Sequence, residues 1–126
     1  MGFRLKPLIQ LVKAWKFYNN AEIVSFYLEL RTTSYADSTT TVSYKKDMRA
    51  VLRMLYANQL AAMRDPMGVS GLVPACKTEN QRASALSKLE WAVERSTKAI
   101  EAEDRGKIDQ AFYYWNLVFG NCFPAM

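Results

Sequence analysis

The sequence predicts an all-α domain, a bundle of about five helices. Three observations lead there. Apolar residues recur at three- and four-residue spacing in five separate segments, and no segment alternates convincingly with period two. Only four Pro and five Gly interrupt a chain of 126 residues. With half of its residues hydrophobic and 13% aromatic, the chain can fill a real core and does not have a disordered composition. Its length fits one domain, residues 1–126, with no internal repeat and no inter-domain linker.

The first helix is expected from about Arg4 to Tyr18, with Leu5, Leu8, Ile9, Val12 and Trp15 facing inward. Pro7 falls in its first turn, where a missing N–H costs little, and Asn19-Asn20 ends it. A second helix, about Glu22 to Tyr35, sets Ile23, Phe26, Tyr27 and Leu30 on one face. Its β-branched and aromatic content leaves a strand open as an alternative. Ser34 to Ser43, centred on Ser38-Thr39-Thr40-Thr41, reads as a polar loop. The third helix is expected from a Ser43 N-cap to about Met63, burying Met48, Val51, Leu52, Leu55 and Tyr56. Asp65-Pro66 breaks the pattern, and Met67 to Pro74 is a Gly/Pro-punctuated connection. The fourth and longest helix, about Glu79 to Arg105, spans about 40 Å. Its narrow stripe is Leu86, Leu89, Val93, Ser96 and Ile100, and Gly106 closes it. The fifth, about Lys107 to Phe119, turns Ile108, Ala111, Phe112 and Trp115 inward before Gly120 and Pro124.

The residue inventory excludes much chemistry. With no His there is no imidazole base, no Ser-His or Cys-His nucleophile pair and no imidazole metal ligand. Cys76 and Cys122 cannot make a four-ligand zinc site, and they read as inert thiols rather than a disulfide framework. No Asp-x-Asp is present, and Glu101 and Glu103, spaced i, i+2 on a helix, point apart. Gly68-Val69-Ser70-Gly71 lacks the Lys-Ser/Thr ending of a phosphate loop. No apolar run approaches the roughly 20 residues of a membrane span. The N-terminal apolar stretch, closed by Lys13, is too short and polar for an export signal, and Lys6 stands where a myristoylation signal wants Ser or Thr. The cytosol is the expected compartment. The formal charge of +5 favours an acidic partner only weakly. On periodicity alone, Lys6, Gln10 and Lys13 read as a solvated face of the first helix, and so do Lys45, Lys46, Arg49 and Arg53 on the third. Phe26 and Tyr27 equally read as core aromatics.

Longer stretches say more. Leu5-Lys6-Pro7-Leu8-Ile9-Gln10-Leu11-Val12-Lys13-Ala14-Trp15, followed by Ile23-Val24-Ser25-Phe26-Tyr27-Leu28-Glu29-Leu30, resembles the helical lobe of the oligoadenylate synthetase and cyclic GMP–AMP synthase-like nucleotidyltransferases. Asp65-Pro66, the Ala-rich long helix, and Ala111, Trp115, Val118-Phe119-Gly120 and Phe123-Pro124 resemble the C-terminal end of the bacterial members. Those enzymes make cyclic oligonucleotide second messengers in anti-phage defence.

The resemblance implies the helical lobe of a two-lobed nucleotidyltransferase, with nucleoside triphosphates as partners. Lys13 would reach the triphosphate of the donor nucleotide, Ser25 would hydrogen-bond the same phosphates, and Phe26 would stack on the base. Phe stands where the family usually carries Tyr, so the stacking face is kept without the hydroxyl. The family's Gly-Ser loop and strand-borne carboxylates, which hold Mg²⁺, are not in this sequence; neither is a zinc ribbon. The face such a lobe would cover should expose apolar side chains, with Met67, Val69, Leu72, Val73 and first-helix residues as candidates, and self-association could hide them. The alternative is a non-catalytic all-α module that binds a protein or nucleic acid through the basic third helix.

Overall fold

The computed structural model describes residues 2–38, 43–65, 68 and 71–120, leaving the side chains of residues 2–4 aside. The expected Thr39-Thr40-Thr41 loop centre, Met67, Val69, Cys122, Phe123 and Pro124 therefore lie outside the described residues. Five helices run α1 (Gly2–Asn19), α2 (Ser25–Ser38), α3 (Tyr44–Ala57), α4 (Glu79–Asp104) and α5 (Ile108–Val118). The fold is all-α, apart from a hairpin of two short strands between α3 and α4, β1 (Met63–Arg64) and β2 (Leu72–Val73). None of the described helices is long and apolar enough to cross a membrane.

α1 buries Leu8, Val12 and Trp15, one residue per turn, while Leu5 and Ile9 flank that line half-buried. It begins two residues earlier than its periodicity suggests, so Pro7 lies beyond the first turn and one internal backbone bond is forgone. Its end is set by Asn20 in the left-handed region, φ 52°, with the Ala21 N–H donating to the Lys16 carbonyl at 3.0 Å. Asn19 adds a bridge: its side-chain amide donates to the carbonyls of Trp15 (2.9 Å) and Val118 (2.8 Å), joining α1 to the end of α5.

α2 is a helix, so the strand alternative falls. It starts three residues later than expected because Val24 is extended against the α4 approach, its N–H donating to the Ala75 carbonyl at 2.7 Å. Tyr27, Leu28, Thr32 and Ala36 are its buried line, in place of the Phe26 and Leu30 line. α3 begins where expected, with Ser43 Oγ accepting the Lys46 N–H at 3.2 Å, and buries Met48, Val51, Leu52 and Leu55. It stops at Ala57, six residues short of Met63. Gln59 and Leu60 both adopt positive φ, near 55°, which carries Leu60 back into the core at 2% exposed. Long-range donors hold that turn: Arg82 Nε reaches the Gln59 carbonyl at 2.8 Å, and Arg31 and the Tyr27 hydroxyl both donate to the Ala61 carbonyl.

The hairpin aligns Met63 with Val73 and Arg64 with Leu72. It turns Val73 inward and leaves Leu72 exposed, so of these two expected surface residues only Leu72 is on the surface. Thr78 caps α4 by accepting the Gln81 N–H at 3.1 Å. α4 then presents Ala85, Leu89, Ala92, Ser96, Ala99 and Ile100 inward, and it packs against both α3 and α5. The α4–α5 turn uses Gly106 at φ +76°. α5 buries Ala111, Trp115 and Val118; Ile108 and Phe112, expected to face inward, are exposed instead. Lys45, from the start of α3, pairs with Glu103 at the end of α4 at 3.3 Å.

One polar contact inside the bundle makes stability depend on pH. The Tyr35 hydroxyl on α2 donates to Asp47 Oδ1 on α3 at 2.7 Å. Burial, and then the bond to the Asp47 carboxylate, push the phenol up to about 12. The folded state therefore holds this proton more tightly than the unfolded chain. Its contribution is complete below pH 10 and is shed as pH rises towards about 12. Urea midpoints measured from pH 8 to 12 should fall over the upper part of that range, and should fall less steeply in Tyr35→Phe. Parallel curves for the two proteins would refute the assignment.

Candidate functional site

Of the three residues singled out by the sequence, Lys13 lies on α1 and Ser25 and Phe26 open α2, two helices that pack against each other. Lys13 is on the exposed side of α1, one residue beyond buried Val12. Its ammonium lies 3.6 Å from Glu29 Oε2 on α2, with both side chains somewhat over 40% exposed. A pair so open to water stabilises the fold little, so the ammonium can be drawn to a stronger anion. Around this pair Leu5, Lys6, Ile9 and Gln10 complete a shallow depression of about 460 Å³.

Ser25 opens α2, one turn before Glu29, and is half-buried. It lines a second depression of about 350 Å³, with Lys16, Glu22, Ile23, Val24, Lys77 and Gln81. Lys13 is not part of that lining. Phe26 follows Ser25 with its ring 43% exposed, so it is free on one side rather than packed in the core. The structure thus puts Lys13 in one depression and Ser25 in the next, while Phe26, beside Ser25, lines neither.

No family model, no curated protein and no solved structure matches the chain. The chemistry of the site has to speak for itself.

Its cations outnumber its carboxylates. Lys6, Lys13, Lys16 and Lys77 face Glu22 and Glu29 across the two depressions. Lys16 and Lys77 were invisible to helical periodicity as site residues: Lys16 is one turn beyond Lys13, and Lys77 lies in the irregular approach to α4. The spacing from Lys13 to Lys16 was the one signal available. Among the described residues no group of three or more His, Cys, Asp or Glu side chains could hold a metal ion. Cys76 is half-buried with a free thiol that burial pushes up, which leaves it protonated and unreactive at neutral pH.

The basic set on α3 is broken up. Lys45 is tied to Glu103 and Arg49 is half-buried, which leaves Lys46 and Arg53 exposed. Lys45 and Lys46 instead border a groove of about 760 Å³ floored by Pro7, Leu11, Met48, Trp115 and Phe119. None of the three singled-out residues lines that groove.

Proposed function

We propose that this chain is the helical lobe of a bacterial nucleotidyltransferase. The whole enzyme joins nucleoside triphosphates into a cyclic oligonucleotide, releasing pyrophosphate, in cytoplasmic anti-phage signalling. The α1–α2 seam takes part of the donor nucleotide. The observation that carries the reading is the packing of the two segments that resemble the family: Lys13 pairs across them with Glu29, and Ser25 and an exposed Phe26 open α2 one turn before that pair. Lysine offers a compact cation for phosphate, serine a neutral hydrogen-bond donor, and the phenyl face a platform for a base. Metal-holding carboxylates belong to the lobe that this chain lacks.

Two measurements test this. Purified chain incubated with labelled ATP, GTP, UTP and CTP plus Mg²⁺ or Mn²⁺ should form no product, and product would overturn the single-lobe reading. ATP should still bind, in the millimolar range, about 4 kcal/mol. Phe26→Ala should weaken that binding by about 1–3 kcal/mol through lost base stacking, while leaving binding of inorganic tripolyphosphate unchanged. Equal ATP affinities for wild type and Phe26→Ala would remove the nucleotide from this face.

A further inference from the structure

We propose that Lys16 and Lys77, rather than Lys13 alone, hold the phosphate chain of the anionic ligand beside Ser25. The inference rests on the nucleotide reading and names the contacts that serve it. Lys13 has a carboxylate partner, Glu29, and lines the neighbouring depression. Ser25 shares its own depression with two lysines delivered by different parts of the fold, Lys16 from the last turns of α1 and Lys77 from the segment ahead of α4. Among the described residues neither lysine makes an ion pair.

The surroundings hold this arrangement in place. The Val24 N–H bonds the Ala75 carbonyl at 2.7 Å, which fixes the Lys77 segment two residues away against the start of α2. The Lys77 N–H in turn donates to Gln81 Oε1 at 3.1 Å. Glu22 is the one carboxylate in the depression, and Gln81 Nε2 donates to its Oε2 at 2.8 Å. Gln81 therefore occupies one oxygen of this carboxylate with a neutral donor, and neither lysine is in direct ion-pair contact with it. A depression of about 350 Å³ is within the size range of small-ligand sites, about 300–1,000 Å³. Two lysines against a single carboxylate, with a hydroxyl beside them, suit a polyphosphate better than any neutral ligand.

The test titrates purified chain with inorganic tripolyphosphate at low ionic strength by calorimetry. Lys16→Ala and Lys77→Ala should each weaken binding at least fivefold, and Glu22→Gln should tighten it by a similar factor. Lys46→Ala, on α3, should match wild type. Wild-type affinity in both Lys16→Ala and Lys77→Ala, or no detectable binding by wild type, overturns the inference. Loss confined to Lys13→Ala also overturns it, yet leaves the nucleotide reading intact with Lys13 as the phosphate ligand. Conversely, lysine-dependent tripolyphosphate binding with no effect of Phe26→Ala on ATP supports the anion site and removes the nucleotide.

Discussion

Trp15→Ala should cost about 3–5 kcal/mol of folding stability, at the upper end of what truncating one core side chain removes. Trp15 is 1% exposed and belongs to the cluster that joins α1 to the rest of the bundle, with Val12, Leu28, Leu89, Trp115 and Val118 among its members. Alanine would leave a void that the surrounding rigid helices cannot close. Trp91→Ala is the control. Trp91 is 63% exposed and carries the Arg95 guanidinium 3.9 Å from its ring centroid, so its loss should stay within about 1 kcal/mol. Urea unfolding of both variants decides the matter. Similar midpoints for the two would mean that Trp15 is not the anchor its burial indicates.

Gly120→Ala should destabilise by about 2–5 kcal/mol, well above the usual cost of a glycine substitution. Two effects add. At φ +61° an L side chain is strained by about 1–2 kcal/mol, and a Cβ built there lies 2.9 Å from the Tyr18 backbone carbonyl oxygen. Backbone cannot step aside as a flexible side chain could, so relieving that contact costs about 1–3 kcal/mol more. Gly106→Ala separates the terms. It has φ +76° with nothing within 4 Å of its Cβ, so only the conformational strain applies. Thermal unfolding should rank Gly120→Ala clearly below Gly106→Ala. Equal melting temperatures would mean that α1 and the end of α5 do not approach so closely.

The helices were legible because burial in this chain follows the 3.6-residue period. Leu8, Val12 and Trp15, and Met48, Val51, Leu52 and Leu55, are core residues whose spacing announces them. The stop of α3 was not legible. Gln59 and Leu60 are residue types that seldom adopt positive φ, and bonds from Arg82, Arg31 and Tyr27, 23 to 34 positions away, hold the turn they make. Helical spacing also gave α5 its direction but not its breadth, since Ala111, Trp115 and Val118 are buried while Ile108 and Phe112 stay exposed. At the candidate site, spacing put Lys13 on an outward face and the resemblance named Ser25 and Phe26. Which lysines share a depression with Ser25 depends on how the segment around Ala75 docks on α2, and no local pattern encodes that.

The amide of Asn19 has one acceptor four residues back and the other, Val118, 99 residues ahead. On a ribosome adding about 5–20 residues per second, Asn19 is made roughly 5–20 s before Val118. Throughout that interval the side of α1 that carries Trp15 lacks its α5 neighbours and offers an indole to whatever binds nascent chains. A protein built this way reaches its final cohesion late, and a ribosome stalled before α5 would leave behind a helical pair that a chaperone or protease could distinguish from the finished fold.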